Sequence, residues 1–189
     1  MKKIFLIIIL IFFNNILYAI ELKGKFYQGN LILGKVDSKS KVFIDKKKIK
    51  VSDEGFFVFG LAKDRKHDVE IEVIKNDFRE VLTKKVFKKK YLIQKIDGLP
   101  KKQVTPPKEF YARIKNDNKL IAKARSVQSD LVFFKDKFAL PLTNSIITGV
   151  YGSQRILNGI PKSPHYGLDF AAKEGTEIKA MLDGVVTLS

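Results

Sequence analysis

No cysteine occurs anywhere in the 189 residues, so neither a disulfide framework nor a thiolate metal site can form. Any metal would have to be held by histidine, carboxylate or water. Histidine is itself scarce, with His67 and His165 the full complement. Tryptophan is absent and methionine occurs twice, which argues against a Met-rich or Trp-lined recognition groove. Acidic residues are in short supply: 36 Lys and Arg face 20 Asp and Glu, a formal charge of +16, or +14 without Lys2 and Lys3. Such an excess attracts polyanions in general. However, the sequence has no glycine-rich phosphate loop and no RNA-binding aromatic signature, so nucleic acid is not an expected partner. The lysine and isoleucine richness runs along the whole chain, as a compositional bias would make it, with weak attraction to acidic envelope polymers as a by-product.

The sequence also lacks a long hydrophobic run. Ile4 to Phe13 is unbroken and apolar, but a membrane-spanning helix needs roughly 20 such residues. With Met1-Lys2-Lys3 ahead of it and Leu17-Tyr18-Ala19 behind, the layout is that of a secretory signal peptide over residues 1–19. An uncleaved anchor is the competing reading. Export implies a periplasmic or cell-envelope location, with the membrane met only in transit.

Residues 20–97 form a β-rich module in this reading. Leu31 to Val36, Lys41 to Asp45, Phe56 to Leu61 and Asp68 to Ile74 are short strand-like runs between turn-forming residues. Val69, Ile71 and Val73 alternate with Glu70 and Glu72, the period-two pattern of a half-buried strand. Lys46 to Lys48 and Asp53-Glu54-Gly55 read as hairpin connections, with Gly55 able to take positive φ. The spacing indicates a small sandwich or barrel of the immunoglobulin-like kind. His67, in "KDRKHD", reads as a solvated loop residue.

"IDGLPKKQVTPP", Ile96 to Pro107, marks a boundary, since adjacent prolines cannot continue a ladder. Residues 98–137 are a linker and connector helix, the helix covering Lys108 to Arg125 with Phe110, Ile114, Ile121 and Ala124 near one packed face. Residues 138–189 form the final module, in which "TEIKAMLDGVVTL" suggests two strands around the hairpin dipeptide Asp183-Gly184. The expected fold class is mainly β.

Within "PHYGLDFAAKEGTEIKA", His165 and Asp169 stand four apart. On a helix capped by Ser163 and opened by Pro164 they would be neighbours able to share a metal. On a strand, four residues span about 13 Å, so the chain would have to bend between them. Gly167 permits that bend, and its missing side chain leaves room for an ion.

The order "GVYGSQR", "PHYGLDFAA", "GTEIKA", "DGVV" resembles the opening of a LytM-like (lysostaphin-type) zinc metallopeptidase domain with an antiparallel β-sheet. Tyr151, Gly152 and Arg155 match a Phe/Tyr-Gly-x-x-Arg element, and His165, Gly167 and Asp169 match H-x-G-x-D. Gly175, Thr176, Ile178 and Ala180 match Gly-Thr-x-(Val/Ile)-x-Ala, and Gly184 with Val186 a Gly-x-Val strand. The strong matching covers residues 149 to 187. The β-rich module, "IDGLP" and the connector look more weakly like the front half of exported bacterial members.

The resemblance implies that His165 and Asp169 are two ligands of a catalytic Zn2+, with Tyr151, Gly152, Arg155 and Gly167 shaping the site. It implies an endopeptidase acting on peptide bonds of bacterial cell-wall peptidoglycan. Peptidoglycan peptides would be the partners, together with other envelope hydrolases or division proteins. It also implies a third ligand and a general-base histidine from a later H-x-H motif, and this chain has no histidine after His165. No catalytic residue is therefore assigned within the chain. The expectation is an incomplete, inactive chain that stops in mid-strand, leaving an unpaired sheet edge. The alternatives are a degenerate, non-catalytic module that binds the envelope or regulates its hydrolases, and a basic β-rich envelope-binding protein unrelated to catalysis.

Overall fold

The structure, a computed structural model, describes residues 20–143 and 145–189. The predicted signal peptide lies outside the described residues. Among the described residues the protein is mainly β, with several antiparallel sheets and one long helix.

The front part is built from two antiparallel sheets. One has the order β1 (Glu21–Lys23), β2 (Leu31–Lys35), β5 (Phe56–Gly60). The other runs β4 (Lys47–Ile49), β3 (Lys41–Ile44), β6 (Val69–Lys75), β7 (Phe78–Lys84). Alternation along the strands turns one set of side chains inward. Ile32 from β2, Phe57 and Phe59 from β5, Val42 from β3, and Val69, Ile71 and Val73 from β6 pack in a single cluster. Ile32, Val42, Val69 and Ile71 have no exposed surface at all. Burying such apolar surface is the main favourable term holding the two sheets face to face.

The turns differ from the expectation in detail. The β3–β4 hairpin turns on Asp45 and Lys46, both at positive φ (48° and 67°), so Lys47 and Lys48 already belong to the strand. Two-residue hairpin loops of this kind match the twist of the flanking strands. Gly55 does take positive φ (85°), but β4 and β5 lie in different sheets, so the Asp53–Gly55 turn is a crossover and not a hairpin. Strand β7 was not anticipated. It is a sheet edge whose partner is β6, its side chains largely exposed, and it is joined by the two-residue turn Asn76-Asp77.

A bidentate pair ties the β3–β4 turn to the loop before β6. Arg65 Nη1 and Nη2 donate to Asp45 Oδ2 (2.6 Å) and Oδ1 (2.8 Å). Asp45 Oδ1 also accepts from the Glu70 amide at 3.1 Å. The Arg65 guanidinium hydrogen-bonded to Asp45 holds its carboxyl below the ordinary aspartate value.

The second half departs further from expectation. β8 (Ile93–Ile96), placed by the sequence reading in the front module, pairs in parallel with β10 (Gln154–Leu157), which in turn pairs with β11 (Ile160–Pro161). β9 (Ile146–Gly149) pairs antiparallel with β12 (Asp169–Ala171). A four-residue helix α1 (Lys101–Val104) interrupts the proline-rich stretch and buries Val104. The helix α2 (Tyr111–Arg125) follows a 3-10 turn at Lys108–Phe110. It has no buried residue, so the packed face expected for Phe110, Ile114, Ile121 and Ala124 does not form. Lys115 to Lys119 are all polar, which breaks the apolar stripe for more than a turn and leaves too little continuous surface to bury.

The hairpin expected around Asp183-Gly184 is likewise not formed. Residues 176–189 are irregular, with a bend at Met181 and Leu182 and no strand among them. Lys179 donates to the Pro141 carbonyl and Met181 accepts from the Ala139 amide, both at 2.9 Å. Ile178, Val185 and Val186 are 79, 66 and 82% exposed; with nothing covering them, no burial drives the turn.

Two outcomes follow from this packing. Ile71→Ala should lower unfolding stability by about 2–4 kcal/mol in urea denaturation, and a loss under about 1 kcal/mol would contradict a shared two-sheet core. The depressed Asp45 carboxyl contributes stability that is present above its unfolded value near pH 4 and lost as pH falls through the folded value. The stability gap between wild type and Asp45→Asn should therefore reach about 0.5–1 kcal/mol at pH 6, modest because the pair is partly exposed. It should close at pH 2 in thermal unfolding, and a gap independent of pH would refute the pairing.

Candidate metal centre

The structure brings His165, Asp169 and Arg155 to one point. His165 lies in an irregular stretch that bends at Gly167, and Asp169 opens β12. The helical reading of this stretch is thus excluded, because no helix forms between residues 163 and 175. The bend does what an extended run could not: His165 Nε2 sits 3.1 Å from Asp169 Oδ1. At Gly167 a Cβ would lie 3.4 Å from His165 Cε1 and 3.8 Å from Nε2, along the edge of the ring that carries the free nitrogen.

The close approach is not a hydrogen bond. Nε2 is buried and has no hydrogen-bond partner. An imidazole nitrogen and a carboxylate oxygen this near can share one cation. Nitrogen and oxygen ligands of a tetrahedral zinc, at about 2.0–2.2 Å, stand about 3.3–3.5 Å apart. The observed separation is close to that, so this donor pair fits a zinc ion. Among the described residues no group of three or more His, Asp or Glu converges on one point. His67 is exposed in its loop, and its carbonyl accepts from Arg65 Nε at 2.8 Å.

The other carboxylate oxygen is fixed separately. Arg155 Nη2 donates to Asp169 Oδ2 at 2.5 Å, a charge-assisted contact of the strong kind. Asp169 faces Gly149 across the β9–β12 ladder, next to a register shift between Asp169 and Phe170. A Cβ on Gly149 would lie 2.5 Å from Asp169 Oδ2 and 3.1 Å from Arg155 Nη2. Any other residue there would force the ion pair to shift. Sequence reasoning passed over Gly149, although it opens the quoted "GVYGSQR" run.

His165 is held by its backbone. Its carbonyl accepts from the Gly152 amide (2.7 Å) and its amide donates to the Ser153 carbonyl (2.8 Å). Ser153 is fully buried and donates its hydroxyl to the Val150 carbonyl at 2.7 Å. Gly152 takes φ +86°, and a Cβ there would strike the Tyr91 ring at 2.1 Å. Tyr91 donates its hydroxyl to the Gln28 carbonyl at 2.8 Å, tying the first module to this turn. Burial, with Tyr151 nearby, pushes the Tyr91 phenol above its ordinary value. Tyr151 packs edge-on to Tyr166, with 6.0 Å between ring centroids. The remaining matched positions, Gly175, Thr176, Ile178, Ala180, Gly184 and Val186, are all exposed. Compared with protein-family models and with curated proteins, the chain matches none.

The crowding at Gly149 has a measurable consequence. Gly149→Ala should cost about 1–3 kcal/mol of stability through overpacking. In an Asp169→Ala background the same change should cost little, because the carboxylate it displaces is gone. Equal costs in both backgrounds would show that the ion pair does not constrain this position.

Proposed function

We propose that residues 138–189 carry the opening of a LytM-like zinc metallopeptidase domain, and that the front module is an immunoglobulin-like sandwich. In this reading the protein is an exported endopeptidase of the cell envelope whose substrate is the peptide portion of bacterial peptidoglycan. The observation that carries the proposal is the 3.1 Å approach of His165 Nε2 to Asp169 Oδ1 with Nε2 buried and otherwise unpartnered. The ordered motifs around it, from Tyr151 to Val186, support the same reading.

His165 and Asp169 would hold the zinc through Nε2 and Oδ1. When bound, zinc lowers the pKa of its water toward neutrality and polarises a scissile carbonyl. Arg155 fixes the Asp169 carboxylate so that one oxygen remains free for the metal, the usual duty of a residue behind a ligand. The backbone pair at Gly152 and Ser153 fixes the His165 main chain from which the imidazole projects. Hydrolysis further needs a third ligand and a base beside the water, and no H-x-H pair is present in these residues. The 189-residue chain alone should therefore bind zinc without cleaving peptide bonds.

A second reading keeps the envelope and drops the chemistry. It is a non-catalytic module that adheres to acidic cell-wall polymer or regulates envelope hydrolases, and the charge of +14 left without Lys2 and Lys3 supports the adhesion.

Zinc titration by calorimetry separates the two. Under the peptidase reading, wild type binds zinc and His165→Ala or Asp169→Ala weakens binding by at least about tenfold. Binding that survives His165→Ala unchanged would remove the ligand assignment. Retention on purified sacculi that vanishes at high salt, in a chain with no affinity for zinc, would establish the binding-module reading instead.

A further inference from the structure

We propose that Gln94, on β8 and ahead of the proline-rich linker, is a positioning residue for the His165–Asp169 pair. The proposal deepens the metal-site reading above and rests on it for its zinc readout.

Arg155 and Asp169 belong to different sheets. Arg155 is on β10, in the sheet β11-β10-β8, whereas Asp169 is on β12, paired with β9. Their ion pair therefore holds its geometry only if the two sheets are kept in register. Gln94 lies directly beside Arg155 in the parallel β8–β10 ladder. Its carboxamide faces both sheets at once. Oε1 accepts from Arg155 Nε at 3.5 Å, and Nε2 donates to the Thr148 carbonyl of β9 at 3.1 Å. Thr148 precedes Gly149, the residue opposite Asp169.

The guanidinium thus has a partner at each end, Asp169 on Nη2 at short range and Gln94 on Nε at 3.5 Å, the long limit of a hydrogen bond. A guanidinium gripped at one end can rotate about its last bonds. Gripped at both, it presents one fixed edge to the carboxylate. The bridge needs an acceptor for Arg155 and a donor for Thr148 on one side chain of this reach. Glutamine supplies both, glutamate lacks the donor, and leucine has neither. Tyr91, three residues earlier, anchors the same segment through its hydroxyl on Gln28 and its ring on Gly152. The stretch from Tyr91 to Ile96 thus belongs to the site, although it precedes every motif that marks it.

The test compares wild type with Gln94→Leu and Gln94→Met, each as the full chain, after thermal unfolding has shown which is folded. Two quantities are read: solvent exchange of the Arg155 Nε–H by NMR, and zinc Kd by calorimetry. The expectation for the folded variant is Arg155 Nε–H exchange roughly tenfold faster and a zinc Kd raised roughly three- to tenfold. A loosened strand alone would not move the Arg155 signal selectively over those of the other arginines. Unchanged Arg155 exchange, or an unchanged zinc Kd where His165→Ala abolishes binding, would overturn the role of Gln94. Failure of wild type to bind zinc would overturn the metal reading only, and the Arg155 signal would still decide whether Gln94 holds the guanidinium.

Discussion

The carboxylate of Asp169 has two oxygens and two different neighbours, and the local architecture answers to that division. Oδ2 is committed to the Arg155 guanidinium, while Oδ1 faces the buried, unpartnered nitrogen of His165. A carboxylate free to rotate would offer either oxygen to either neighbour. The ion pair removes that freedom and leaves one acceptor oxygen beside one imidazole nitrogen. Gly149 clears the space the pair occupies, and the irregularity after Asp169 turns the carboxylate toward it. β-Bulges often re-aim a side chain in this way next to sites.

The imidazole reaches its place by another route. It is carried on irregular chain, which by itself would leave it mobile. Reciprocal backbone hydrogen bonds to Gly152 and Ser153 tie down the main chain that carries it. The turn they stabilise is pressed against Tyr91, which leads back to Gln28 in the first module. Lys63 and Lys89 lie over the Tyr91 ring at 4.6 and 5.8 Å from its centroid, adding cation–π attraction to the same junction. The sandwich, stabilised by its own core, thus serves as a platform for a site that has little core of its own.

Legibility tracked burial. The alternation of Val69, Ile71 and Val73 was readable because a half-buried strand must follow it, and all three side chains are inside. β7 shows the rule only faintly, since as an edge strand it is held by backbone pairing with β6 and, Leu82 apart, sends little apolar surface to the core. The connector helix and the Asp183-Gly184 hairpin erred in the opposite direction. Local pattern favoured packed elements there, and the partners needed to cover them do not converge on them. At the site, residues inside the motifs were legible from spacing. Gln94 and Gly149 were not: one acts across a parallel strand pair some 60 positions away in sequence (Gln94 to Arg155, 61 apart), and the other matters for the side chain it lacks.

Sequence alone determined the mainly β character, the charge, the restriction of any metal to nitrogen and oxygen donors, and the local bend that Gly167 allows. These are properties of composition and short-range pattern, and they survive any arrangement of the chain. Tertiary structure decided which atoms meet. The parallel pairing of β8 with β10, the seating of Tyr91 against Gly152, and the split of the Asp169 oxygens between Arg155 and His165 all join residues far apart along the chain or held in separate sheets. Hydrogen bonds and ion pairs are decided by tenths of an ångström, and separation in sequence carries no information at that scale.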